Sequence, residues 1–209
     1  MTDFLESVLP TQGSYCTVGI RSGVVQQSFQ ATIADVESIG NGLDKAGIDA
    51  YFALATFTDS SSRKVENAAF LRAFFLDLDC GTGKPYVDQP AAAQALSIFI
   101  KDTGLPSPTV VNSGGGLHVY WPLTADVPAT DWVGHAKSLK RLCTQHNLHA
   151  DPAVTADAVR ILRIPGTTNF KGGRTRSVQI MAQGQPTDLK SFVARLPPAP
   201  VDLSAAKQY

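Results

Sequence analysis

Two aspartates, Asp77 and Asp79, interrupt the apolar segment Phe-Phe-Leu-Asp-Leu-Asp-Cys at residues 74–80. Because side chains alternate along a β-strand, this spacing predicts that both carboxylates lie on one face of a strand. An ionised carboxylate is costly to bury unless a cation or several donors compensate it. Such a pair suits Mg²⁺ or Mn²⁺, and two ions held there support phosphoryl or nucleotidyl transfer. The alternative is a salt-bridged pair at the end of a strand.

A glycine-rich turn with a nearby histidine forms the second informative motif, at residues 110–121. The turn, residues 113–116, is flanked by two apolar segments, and the returning strand places His118 and Tyr120 on one face. Exposed N–H groups of such a turn can donate to phosphate oxygens, and an imidazole beside it can donate to a triphosphate. The alternative is a histidine whose hydrogen bonds are satisfied inside a half-buried strand.

Basic side chains are concentrated in one segment, although the formal net charge of the chain is zero. Residues 160–176 contain five basic residues and no acidic one, whereas residues 1–50 carry six acidic residues and two basic ones. This asymmetry favours a local anionic ligand. The alternative is an ordinary solvated loop.

Strand and helix signals place these motifs in a predicted series of elements. Arg-Ser-Gly between residues 15–20 and 24–29 predicts a hairpin, and Thr32 predicts the start of a helix that ends near Gly47. Further strands are expected at 50–57, 72–79, 109–112, 117–122 and 177–181, helices at 89–103, 128–148 and 188–196, and a loop at 151–173.

The motifs occur in an order that resembles the archaeo-eukaryotic primase superfamily. The acidic pair comes first, the Ser113-Gly-Gly-Gly-Leu-His118 turn second, and the segment from Asp151 to Lys171, with its Arg-x-x-Arg-x-Pro-Gly-Thr-x-Asn sequence, third. The primase-polymerases of phages and plasmids are the most similar members. The likeness spans roughly residues 72–171.

The resemblance implies an α+β fold, in which an RNA-recognition-motif-like antiparallel β-sheet forms the catalytic core beside an N-terminal α/β module. One catalytic domain is expected over residues 1–196, with the module at about 1–70 and the core at about 71–196. The proline-rich residues 197–209 are expected to form a linker-like tail, as in the front end of a longer protein.

The resemblance also implies roles for individual residues. Asp77, Asp79 and Asp151 would be the catalytic carboxylates that hold the metal. Asp157 is the rival third ligand, and Asp151 is preferred because it follows the helix directly and precedes proline. The nucleotide would be bound by Ser113, His118, Arg160, Arg163, Asn169 and Lys171. The template would be bound by Arg174 and Arg176 and by the helix cluster Lys137, Lys140 and Arg141.

The implied activity is template-directed nucleotidyl transfer, as in a DNA primase or polymerase, with two Mg²⁺ or Mn²⁺ ions. The expected partners are a single-stranded DNA template with its primer, dNTP or NTP, and a helicase, either C-terminal or separate. One alternative is a metal-dependent nuclease, which would use the same carboxylates with water as nucleophile. The other is a catalytically silent single-strand- or origin-binding module of a replication protein.

The sequence predicts neither zinc nor a membrane partner. Cys143-x-x-His146-x-x-His149 offers three ligands, with His135 as a distant fourth, but it lies near the end of a predicted helix and lacks the tighter paired spacing of structural zinc sites. The three cysteines, Cys16, Cys80 and Cys143, are far apart and odd in number, which indicates free thiols. Without an apolar run of transmembrane length or a basic signal region, the expected location is the cytoplasm, or the host cytoplasm if the protein is phage-encoded.

Overall fold

The computed structural model describes residues 2–198, which form five α-helices and eleven β-strands. The elements are α1 (Thr2–Val8), β1 (Tyr15–Arg21), β2 (Val24–Gln30), α2 (Ile33–Lys45), β3 (Asp49–Ala53), β4 (Ala55–Phe57), β5 (Ala68–Asp79), α3 (Gln89–Thr103), β6 (Thr109–Asn112), β7 (Gly116–Pro128), α4 (Ala129–Gln145), β8 (Ile161–Arg163), β9 (Thr168–Asn169), β10 (Arg176–Ser177), β11 (Gln179–Ala182) and α5 (Leu189–Val193). None of these helices has the length and apolar character needed to cross a membrane. Of the predicted tail, residues 199–209 lie outside the described residues.

A five-stranded antiparallel sheet in the order β11-β6-β7-β5-β4 carries the acidic pair. β5 lies inside this sheet, and its residues Leu76 and Leu78 are fully buried. Pairing between β5 and β7 places Asp77 opposite His118 and Asp79 opposite Gly116. The run β5-α3-β6-β7-α4 has the β-α-β-β-α order of an RNA-recognition-motif-like core. The predicted α+β fold is confirmed.

Aromatic side chains close one face of this sheet. Trp132 of α4 stacks on Phe74, with ring centroids 5.6 Å apart, and its indole N–H donates to the carbonyl of Ala73 at 2.9 Å. Phe192 of α5 also stacks on Phe74, at 4.6 Å. Buried rings of this size contribute large apolar area, and the bonded indole is not left unsatisfied. Because strand residues alternate, Asp77 projects from the opposite face.

A four-stranded sheet in the order β2-β1-β3-β8 forms the second layer. The hairpin between β1 and β2 turns at Ser22 and Gly23, which both have positive φ, 50° and 81°. A two-residue turn with this backbone matches the twist of the strands it joins. Thr32 caps the N-terminus of α2, where its hydroxyl accepts the N–H of Asp35 at 3.1 Å, and the helix packs on β1 and β3.

The chain passes from one sheet to the other at positions that the sequence did not indicate. The strand predicted at 50–57 is two strands, because β3 belongs to the four-stranded sheet and β4 pairs with β5 in the other. The loop predicted at 151–173 contains β8, which pairs with β3. The continuous apolar run at 50–57 hid this division, since both of its halves are mostly buried. α1 was also not predicted.

Candidate active site

The acidic pair lies at the end of β5, at the edge of a cavity of about 290 Å³ between the two sheets. Both aspartates line this cavity. Their side chains are 18% and 38% exposed, whereas the intervening Leu78 is fully buried. The prediction that Asp77 and Asp79 share one face of a strand agrees with this geometry. Asp79 is also salt-bridged, since the ammonium of Lys84 lies 2.7 Å from its carboxylate.

Asp151 is held beside the pair by its backbone. Its N–H donates to the carbonyl oxygen of Asp77 at 2.8 Å. One carboxylate oxygen of Asp151 accepts the N–H of Ala153, and the other lies 4.0 Å from the guanidinium of Arg160. Asp157, the rival third ligand, accepts the N–H of Val159 at 3.0 Å within the following turn. The structure therefore brings Asp151 to the acidic pair through a direct backbone contact.

The carboxylates repel one another, which is visible in the pKa of Asp77. Burial, followed by the negative charges of Asp79 and Asp151, raises this pKa to about 7. Arg160 and Lys84 oppose the shift only in part. Excess negative charge of this kind favours binding of a cation. Among residues 2–198, however, no three His, Cys, Asp or Glu side chains are already arranged to hold one ion together.

The raised pKa predicts a pH-dependent stability difference between the metal-free protein and Asp77→Asn. An unfolded Asp ionises near its ordinary pKa of about 4, whereas folded Asp77 keeps its proton until about pH 7. The folded state binds more protons in this window, so Asp77 lowers stability progressively as the pH rises from about 4 to 7. We expect Asp77→Asn to melt higher than the wild type, with a gap that widens across this window and then stays constant. Thermal melts in EDTA measure the gap, and a gap independent of pH would contradict the assignment.

His118 lies opposite Asp77 on the neighbouring strand β7 and is a neutral imidazole. Its Nε2 lies 4.0 Å from the Asp77 carboxylate, and its Nδ1 lies 3.4 Å from the hydroxyl of Tyr120. Burial, followed by the positive charges of Arg163 and Arg160, lowers the pKa of His118 to about 3. A neutral ring has one donor and one acceptor nitrogen. His118 can therefore donate to a phosphate oxygen without carrying a full charge.

All six predicted nucleotide-binding residues line the cavity: Ser113, His118, Arg160, Arg163, Asn169 and Lys171. Arg163 is buried, donates to Asp49 at 2.6 Å and lies 4.6 Å from the ring centroid of Tyr51. Asp49 also accepts the N–H of Phe170 at 2.7 Å. Asp49 and Tyr51 were missed by the sequence analysis. Asp49 could have been identified from its position beside the apolar run at 50–57, because an acidic residue in an apolar segment was also the pattern that identified Asp77.

Asn169 and Arg160, which both line the cavity, differ in how many of their polar atoms are already hydrogen-bonded within the protein. Asn169 donates from its amide to the carbonyl of Ser113 at 2.8 Å, and its amide oxygen accepts the N–H of Lys171 at 3.0 Å. These bonds fix the loop after β9 against the glycine turn. The buried Nε of Arg160 has no hydrogen-bond partner within the described residues. Arg160 therefore retains a buried donor beside the cavity.

The predicted template-binding residues fall into two groups. Arg176 lines the cavity and donates to the carbonyl of Lys171 at 3.0 Å, while Arg174 is exposed on the same loop. Lys137, Lys140 and Arg141 are exposed on α4, which packs on the closed face of the sheet. Of these five residues, Arg176 shares the cavity with the acidic pair.

The Cys143 motif is poorly placed to bind metal. Cys143 is buried in α4, and burial raises the pKa of its thiol to about 12, which disfavours the thiolate that zinc requires. His146 packs edge-on against Phe99, with centroids 6.0 Å apart. The three cysteines are free thiols, as predicted.

Comparison with known sequences identifies one replication protein as a relative. No known family model matches the chain. A replication protein of Clostridium perfringens is 32% identical over 130 residues, which make up 62% of this chain and 31% of that protein. The chain therefore spans less than a third of that relative's length.

Comparison with solved structures identifies the fold. The primase-polymerase domain of cyanophage S-2L has a TM-score of 0.63 at 18% identity, over 88% of this chain and 90% of that one. Primase RepB′ has a TM-score of 0.55 at 16% identity, over 91% and 58%. The catalytic domain of RepB′ bound to initiator DNA has a TM-score of 0.54 at 14% identity, over 87% and 83%. The chain has the fold of archaeo-eukaryotic primase-polymerase catalytic domains, and the predicted resemblance is confirmed at that level.

Proposed function

We propose that this chain is the catalytic domain of a primase-polymerase that joins nucleotides along a single-stranded DNA template. One observation carries the proposal: a cavity lined by Asp77 and Asp79 on one side is lined by basic side chains on the other. A nucleoside triphosphate fits this distribution, because its phosphates need positive charge and the divalent metal that accompanies it would need carboxylate ligands.

The donor set suits Mg²⁺ or Mn²⁺, which prefer carboxylate oxygens. Asp77 and Asp79 would hold the metal, and Asp151 would join them once its carboxylate turns from Arg160. Two bound ions would promote the attacking 3′-hydroxyl and neutralise the departing pyrophosphate. Asp79 would give up its ion pair with Lys84 to hold the metal. Burial, followed by the negative charges of Asp79 and Asp151, raises the pKa of Asp77, and this excess of negative charge supports the assignment.

The remaining residues would orient the triphosphate. Arg163 is preorganised by Asp49 and by the ring of Tyr51, so little side-chain entropy is lost when it meets a phosphate. Arg160, whose side chain is 34% exposed and lines the cavity, supplies a second guanidinium, and His118 supplies a neutral donor. Fixed donors around a developing charge stabilise it without reorganisation.

The deciding experiment is an incorporation assay on single-stranded templates, with and without primer, using dNTPs or NTPs and Mg²⁺ or Mn²⁺. Nucleotide-dependent extension supports the proposal, whereas template cleavage without nucleotide would indicate a nuclease. The pairing of Asp79 with Lys84 favours a second candidate, a catalytically silent single-strand-binding module. DNA binding with no incorporation under any of these conditions would select it. We also propose that the protein acts with a helicase, either C-terminal or separate, and that it is located in the cytoplasm.

His118→Gln tests the nucleotide pocket. We expect the KM for nucleotide to rise about tenfold, because one hydrogen bond to a charged phosphate contributes about 1.5 kcal/mol. Template affinity should be unchanged, because His118 is buried beneath the cavity. Steady-state incorporation and fluorescence anisotropy on the same preparations separate the two effects. His135→Gln, on α4, is the matched control, and an unchanged KM for His118→Gln would return His118 to a structural role.

A further inference from the structure

A groove of about 620 Å³ adjoins the nucleotide cavity beside the β1–β2 hairpin. Tyr51 and Lys171 line both spaces, so the groove continues from the cavity. Its other lining residues are Ile20, Arg21, Ser22, Gly23, Gly47, Asp49, Phe170, Gly172 and Gly173. We call it the hairpin groove.

The walls of the hairpin groove combine positive charge with aromatic surface. Arg21 and Lys171 are exposed, and Tyr51 and Phe170 are half-buried. Asp49, the acidic residue of this wall, already accepts hydrogen bonds from Arg163 and from the Phe170 N–H. Its charge is therefore largely neutralised from within the protein, and the groove retains the two cations at its rim.

The groove floor also leaves the backbone accessible. A Cβ added to Gly23, Gly47, Gly172 or Gly173 would meet no atom within 4 Å, so these positions border open space. A polymer with regularly spaced negative charges and flat rings could lie on such a surface without steric conflict. The bond between the Phe170 N–H and Asp49 fixes the backbone that carries the ring.

We propose that the hairpin groove binds the single-stranded nucleic acid that leads to the cavity, with phosphates at Arg21 and Lys171 and a base stacked on Phe170. Proteins that hold single strands combine a basic track with aromatic platforms in this way. The inference rests on the proposed function, because the strand that leaves the cavity is the template. Arg21, Tyr51 and Phe170 then join the template-binding surface, for which the resemblance had implied Arg174, Arg176 and the basic cluster of α4.

Fluorescence anisotropy with a labelled oligothymidine, measured over a range of salt concentrations, tests the proposal. Arg21→Gln should weaken binding about threefold or more and lower the salt slope by about 0.7, the share of one phosphate contact on a single strand. Phe170→Ala should weaken binding at least about fivefold with the slope unchanged, because stacking is not ionic. Phe170→Tyr should restore affinity, since it keeps the ring. Thermal melts establish that each variant is folded.

Lys101→Gln is the matched control, because Lys101 is exposed on α3 and does not line the hairpin groove. The affinity of Lys101→Gln for oligothymidine should change only by the small amount expected from the loss of one distant surface charge. Equal losses for Arg21→Gln and Lys101→Gln, or an unaltered Phe170→Ala, would overturn the groove assignment, as would a wild type that does not bind oligothymidine.

Incorporation assays separate this inference from the proposed function. If the wild type extends primers while Arg21→Gln and Phe170→Ala bind template normally, the groove assignment fails and the function stands. If the wild type never incorporates nucleotide but its DNA binding depends on both residues, the function fails and the groove stands.

Discussion

We expect Asp77→Ala to abolish nucleotide incorporation, with a loss of at least about 10³-fold, equivalent to about 4 kcal/mol of transition-state stabilisation. Asp79→Ala should have the same effect, because in the proposed site a single carboxylate would not hold the metal. The fold survives both changes, since neither aspartate has a stabilising partner in the core. Single-nucleotide extension of a primed template, with saturating Mn²⁺, measures the loss.

Asp157→Ala serves as the control for both aspartate variants. Its carboxylate accepts a backbone N–H in the turn after Asp151, so its removal costs local stability and not the metal site. Incorporation by Asp157→Ala should remain near that of the wild type once the protein is folded. If Asp77→Ala retained activity, the metal assignment would be wrong. A large drop in its melting temperature would favour the salt-bridge alternative.

Gly116→Ala produces the second large effect, on stability. A Cβ at Gly116 would lie 2.2 Å from the carbonyl oxygen of Leu78, where the backbones of β5 and β7 meet. Neither backbone can move without breaking the ladder that pairs Gly116 with Asp79. We expect destabilisation of about 3 kcal/mol, which lowers the melting temperature of a protein of this size by about 6–12 °C. Displacement of Asp79 should also reduce incorporation.

The neighbouring glycine provides a matched control for this steric argument. A Cβ at Gly115 would be 3.8 Å from its nearest neighbour, the Asn169 amide, which is ordinary contact. Gly115→Ala should therefore melt close to the wild type. Scanning calorimetry of the two variants compares them directly, and similar melting temperatures would show that the strands tolerate a side chain at Gly116.

Local patterns in the sequence were sufficient to predict the acidic strand. The spacing of Asp77 and Asp79 within an apolar run depends only on strand alternation, which the fold preserves. The ion pair of Arg163 with Asp49 was beyond prediction, because it joins residues 114 positions apart. It forms only when β8 pairs with β3, and three residues of β8 carry too little pattern to reveal that pairing.

The sequence also contained no indication of the hydrogen bonds that Asn169 makes within the protein. The resemblance implied a nucleotide contact for this residue, and in the structure both ends of its amide are bonded to the protein. Predicting such bonds requires knowing which loops touch. The glycine turn and the loop after β9 are far apart in sequence and meet only in the folded chain.

The late position of β8 in the chain affects how the four-stranded sheet folds during synthesis. β3 has β1 on one side and remains an unprotected edge on the other until residues 161–163 have emerged from the ribosome. The wall of the cavity that holds Arg163 forms in the same step, because Arg163 belongs to the strand that covers this edge. Completion of the four-stranded sheet during synthesis and assembly of the cavity wall that carries Arg163 are thus one event.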